Sequence, residues 1–73
     1  MSEITYVERI KQLREEDGLT QTQLADATGF SQSAIAYWER GERTPNVEVI
    51  IKLAKFFGVS TDYLLGLSDN MSN

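Results

Sequence analysis

Apolar side chains recur at three- and four-residue spacing in separate runs along the chain, and polar capping residues and glycines mark the breaks between them. Tyr6, Ile10 and Leu13 form the first stripe, with Val7 beside it. Thr5-x-x-Glu8 has capping-box spacing at its start, the helix is expected to run to about Glu16, and Gly18 follows as the stop. Thr20-x-x-Gln23 is a second capping box, opening a helix with Leu24, Ala25 and Thr28 inward and Gly29 at its end. Ser31 caps a third helix that buries Ile35 and Trp38 and stops at Gly41. Trp38 is expected to fill the contact between the third and fourth helices. Asn46 caps the fourth, with Val47, Ile50, Leu53, Ala54 and Phe57 inward and Gly58 after it. Ser60 caps a short last helix carrying Tyr63, Leu64 and Leu65, closed by Gly66. No period-two strand pattern competes and no repeat is present. The pattern predicts an all-α, five-helix domain over residues 1–67, followed by a flexible tail at 68–73, SDNMSN.

The outer face of the third helix breaks the usual rule for a solvated helix. A quarter of the chain is charged, yet Ser31 to Trp38 contains no charged residue. Helices that only face water carry Glu/Lys pairs for support and solubility. This one offers Gln32, Ser33, Ala36 and Tyr37: an amide, a hydroxyl, a methyl and a phenol. Such groups suit the donor, acceptor and methyl pattern of a DNA major groove. Two short helices around one glycine, the second with this face, point to a helix-turn-helix.

Charge changes the picture. The 73 residues carry a net charge of −4, whereas DNA-binding domains are usually basic because phosphate neutralisation releases counterions. The acids gather away from the candidate face: Glu3, Glu8, Glu15, Glu16 and Asp17 precede it, and Glu48, Asp62 and Asp69 follow it. With a Debye length of about 8 Å at physiological salt, acids on a far side are largely screened. The acidity predicts weak non-specific binding rather than no binding.

Other classes are disfavoured by what the chain lacks. There is no cysteine and no histidine, which excludes disulfides and the usual zinc sites. A chain this short buries only about 60% of its unfolded surface, has room for one core, and offers no deep pocket for an enzyme. No cofactor is implied. Nothing in the N-terminal residues reads as a signal peptide, and no apolar stretch approaches the ~18 residues of a membrane span, so a cytosolic protein is expected.

The chain resembles the Cro/phage-repressor (XRE) helix-turn-helix family from about Ile4 to Leu67. The resemblance rests on RIKQLREEDGLTQTQLA, the turn TGFS, then SAIAYWERG and RTPNVEVIIKLAKFFGVSTDYLLG. Ala25 is small where the helices cross, Gly29 takes the turn, and Leu24, Phe30, Ile35 and Trp38 fill the space between helices. Thr28 departs from the pattern, standing where an apolar residue is usual; its methyl can pack while its hydroxyl bonds back along the helix. The resemblance implies a bacterial or phage regulator of transcription, a repressor in the first instance, acting on a two-fold-symmetric operator. It places Gln32, Ser33, Ala36 and Tyr37 at base edges, with Gln32 pairing to adenine. Gln21, Thr22, Arg40, Arg43, Thr44 and Asn46 are the implied phosphate contacts, and Arg14 with Glu39 an implied structural ion pair. A homodimer on DNA is expected through the last helix, with Leu64, Leu65 and Leu67 in contact. The alternatives are a protein-interaction adaptor on the same fold, favoured by the acidity, or an antitoxin-like regulator with a protein partner.

Overall fold

Thr20, Ser31, Asn46 and Ser60 each start a helix by one device: an extended backbone, and a side-chain oxygen that accepts the N–H three residues on at 2.9 to 3.0 Å. In the computed structural model, which describes residues 5–71, these caps open four of the five helices. The helices are α1 (Tyr6–Glu16), α2 (Gln21–Thr28), α3 (Gln32–Arg40), α4 (Val47–Phe57) and α5 (Thr61–Leu64). No strand occurs among the described residues. Ile4, the expected start of the family match, Glu3, and the last two residues of the expected tail lie outside the described residues.

At Thr20 the capping box closes in both directions, because the Thr20 N–H also donates to Gln23 Oε1 at 2.8 Å. Thr5 differs from expectation. It is the N-cap of α1, but its side chain makes no capping hydrogen bond. The T-x-x-E spacing permits the box without compelling the rotamers that close it, and Glu8 in the first turn still complements the helix dipole.

Each helix contributes one fully buried aliphatic residue to a single core: Ile10, Leu24, Ile35, Leu53 and Leu64 all have no exposed area. Burying a side chain of this size stabilises by about 1.5–3 kcal/mol. The helix α3 packs on α1 and α2, α4 packs on α5, and contacts of α1 with α5 and of α2 with α4 join the groups. Trp38 belongs to this core, where it is buried together with residues of every helix. It meets Phe30 in the turn, edge to face, with centroids 5.2 Å apart. The turn itself depends on Gly29 at φ +82°, a conformation costly to any residue with a Cβ. The Thr28 hydroxyl donates to the Leu24 carbonyl at 2.7 Å, so its polar atom is satisfied in a buried position.

Two apolar expectations change. Val47 is 73% exposed, because at the first position of α4 no element covers it. It borders an open apolar groove with Pro45, Ile50, Ile51, Thr61 and Leu65. Of the three leucines expected at a dimer contact, Leu64 faces the core with none of its surface exposed, Leu65 is half-buried, and Leu67 is 75% exposed. Residues 68–71 also hold more structure than a free tail. The Ser60 N–H donates to the Met71 carbonyl at 2.7 Å, and Ser60 Oγ donates to the Asn70 carbonyl at 3.3 Å.

Arg9 is buried on the inner side of α1, where the apolar stripe gave no sign of a cation. Its guanidinium lies 3.7 Å from the centroid of the Tyr63 ring and reaches toward Asp69 at 3.9 Å. Stacking on an aromatic face compensates part of the lost hydration.

Candidate nucleic-acid interface

The helices α2 and α3 meet across the Gly29 turn, and their facing polar side chains form one connected chain of hydrogen bonds. Arg14 on α1 donates from Nε to Glu39 Oε2 at 2.7 Å and from Nη2 to Glu39 Oε1 at 3.0 Å. Its Nη1 donates to the Leu19 carbonyl at 2.7 Å. The pair is largely buried, with side-chain exposures of 11% and 3%, and the hydrogen bond that Arg14 donates to Glu39 raises the Arg14 pKa further above its already high value. Gln21 Nε2 donates to the same Glu39 at 3.1 Å, and Gln32 Nε2 donates to Gln21 Oε1 at 2.7 Å. Glu39 thereby orients Gln21, and Gln21 orients Gln32.

Gln32 and Ser33 are exposed at the start of α3. Tyr37, one turn further on, is half-buried, with the guanidinium of Arg43 4.5 Å and that of Arg40 5.2 Å from its ring centroid. Ala36 stands apart from these three. It is only 6% exposed, so its methyl belongs to the inner edge of the helix and offers little area to a partner. The phase of α3 places it there, one position after the fully buried Ile35.

Around this face lie the other polar candidates. Thr22, Arg43, Thr44 and Asn46 are exposed, and Gln21 is half-buried. No acidic residue occupies the first turn of α2 or of α3, which leaves their positive dipole ends uncompensated. Asn46 Oδ1 is committed to capping α4. Arg40 is engaged by a neighbour, donating from Nε to Glu42 Oε2 at 2.7 Å, with both side chains about half exposed. The Gln21–Gln32 link and the Glu42 contact were not legible beforehand: each depends on which rotamers the folded backbone brings together. Among the described residues no cluster of three or more His, Cys, Asp or Glu could hold a metal, and no helix is long and apolar enough to cross a membrane.

The geometry of a glycine-hinged helix pair with an uncharged outer face is that of a helix-turn-helix, and a helix-turn-helix family model matches residues 10–64. The chain belongs to this family, of the XRE type. It is 37% identical over 65 residues to an uncharacterised HTH-type transcriptional regulator, YobD of Bacillus subtilis, covering 89% of this chain and 58% of that protein. It is 45% identical over 60 residues to the HTH-type transcriptional activator BcrR of Enterococcus faecalis, covering 82% of this chain and 29% of the relative. The chain thus spans well under two thirds of these curated relatives. Among solved structures, the phage P22 c2 repressor in complex with a synthetic operator superposes with a TM-score of 0.81 at 37% identity, covering 89% of this chain and 98% of that one.

Proposed function

We propose that this chain binds a specific duplex DNA sequence and regulates transcription, acting as a repressor. The observation that carries the reading is the uncharged, exposed Gln32–Ser33 pair beside the acid-free N-terminus of α2. The likeness to an operator-bound repressor supports the sign of regulation. In this reading α3 lies in the major groove with its first residues at base edges. Gln32 keeps its Oε1 acceptor and one Nε2–H while donating the other to Gln21, and those two groups match adenine N6–H and N7. Ser33 and Tyr37 flank it, and buried Ala36 is not among the readers.

Phosphate contacts come from the N–H groups and side chains of Gln21 and Thr22, from Arg43 and Thr44, and from the Asn46 amide nitrogen left over from capping. A single module of this kind buries roughly 600–1,000 Å², too little for high affinity, so two copies on a two-fold operator are proposed, with half-sites ~34 Å apart. The contact runs through Leu65, Leu67 and the groove edge at Val47 rather than through Leu64.

Selection of bound sequences from random duplexes tests the reading, followed by salt titration on the enriched site. Enrichment of a palindromic motif is expected. Failure to enrich any sequence, with no duplex binding at low salt, would overturn it in favour of the protein-interaction role that the net charge of −4 otherwise favours.

A further inference from the structure

The last residue of α3, Arg40, and the loop residue Arg43 present two arginines toward the side of the molecule assigned to DNA, yet the structure treats them differently. Arg43 stacks on Tyr37, and no acidic side chain pairs with it among the described residues. Arg40 is held from both ends of its fork by Glu42: Nε donates to Oε2 at 2.7 Å and Nη2 to Oε1 at 3.4 Å. This is the face of a guanidinium that a phosphate takes in a two-point contact.

The backbone brings Glu42 to that place. Gly41 ends α3 at φ +74°, its N–H donates to the Trp38 carbonyl at 3.1 Å, and the Glu42 N–H donates to the Tyr37 carbonyl at 2.9 Å. These paired bonds are the usual left-handed helix stop, which turns the next residue back over the last turn. The turn therefore brings Glu42 beside the last turn of α3, within reach of the Arg40 guanidinium. Its hydrogen bond from Arg40, assisted by the charges of Arg40 and Arg43, holds its carboxyl below the usual carboxylate range, so it stays ionised at neutral pH.

We propose that Glu42 attenuates the DNA-binding surface: its carboxylate occupies the guanidinium face of Arg40 that a backbone phosphate would take, so the end of α3 and the loop after it deliver one cation to the duplex instead of two. The proposal rests on the DNA-binding reading and goes beyond it by giving Glu42 a role. A tethered carboxylate competes with phosphate at high effective concentration. The result is one fewer phosphate contact and a shallower dependence on salt, in a protein whose binding then leans on the readers of α3.

A double-mutant cycle on random duplex DNA tests this, using the full chain and the variants Glu42→Gln, Arg40→Gln and both together. With Arg40 present, Glu42→Gln is expected to tighten binding about eightfold near 0.1 M salt and to steepen the slope of log K against log salt by about 0.9. Between 50 and 200 mM salt the advantage should shrink by about 3.5-fold, as one added phosphate contact requires. In the Arg40→Gln background the same change should gain less than about twofold. An equal gain in both backgrounds means that Glu42 acts only by general repulsion, and overturns the clamp while leaving DNA binding intact. Absence of any duplex binding by the parent chain and all variants overturns both.

Discussion

Gln32 has two amide hydrogens and an oxygen, and the protein uses only one of the three. Replacing it with alanine should cost about 1–3 kcal/mol at one base pair of the selected site and relax specificity there, measured by binding to single-base variants of that site. Equal losses on specific and random DNA would remove it as a reader. Arg43→Ala should instead weaken all sequences alike and lower the salt slope by about one. The Arg14–Glu39 pair calls for a different measurement, since it is buried. Glu39→Ala should destabilise by about 3–5 kcal/mol in urea unfolding, because it strands a largely buried guanidinium, whereas a joint Arg14→Met, Glu39→Leu replacement should recover most of that. Charge at Glu42 obeys its own sign rule. Its carboxyl is held low in the folded state, so what the pair contributes is present above the ordinary carboxylate pKa and lost only as pH falls through the depressed folded value. The difference between the parent chain and Glu42→Gln in DNA binding should accordingly stay constant from about pH 6 to pH 8.

Helix ends show how far a sequence can be read at the level of elements. Ser31→Ala should cost about 1 kcal/mol, since its oxygen caps α3, while Thr5→Ala should change stability by only a few tenths of a kcal/mol, since its side chain caps nothing. Both positions carry the same kind of signal in the chain; what separates them is a rotamer choice that pattern does not record. Gly29→Ala should cost about 1–2 kcal/mol from backbone strain alone, as the only atom near an added Cβ is the flexible end of Lys52 at 3.6 Å. Trp38→Ala should cost roughly 3–5 kcal/mol by emptying its place in the core beside Phe30. Periodicity placed Ile35 and Trp38 on the inner face because i and i+3 share a side. It failed at Val47 because a stripe gives direction but not how far the neighbouring helices extend. It missed Arg9 because the partner that makes burial tolerable, Tyr63, lies 54 positions away in the chain. The Gln21–Gln32 contact joins two amides whose meeting depends on the crossing of α2 and α3, so residue types alone could not reveal it.

At the scale of the molecule, the open groove bounded by Pro45, Val47, Ile51 and Leu65, with Leu67 also exposed, leaves apolar area that the monomer does not cover. Val47→Asp should leave the folded monomer almost as stable, since the residue is 73% exposed, but should weaken binding to a full operator far more than to one half-site. Undiminished affinity of the parent chain for half an operator would sink the two-copy arrangement. The closure at Ser60 has a kinetic consequence. One residue accepts from the Tyr63 N–H, donates its hydroxyl proton to the Asn70 carbonyl and gives its own N–H to Met71, so the cap of α5 and the last described residues share a single fastening. Amide hydrogen exchange at Ser60 then reports the peeling of residues 68–71, because that proton's hydrogen bond goes to the Met71 carbonyl. Truncation after Leu67 should bring Ser60 to the exchange rate of an open chain while the amides of Leu24 and Ile35 keep their protection. If Ser60 remains protected, the terminal segment does not gate that site.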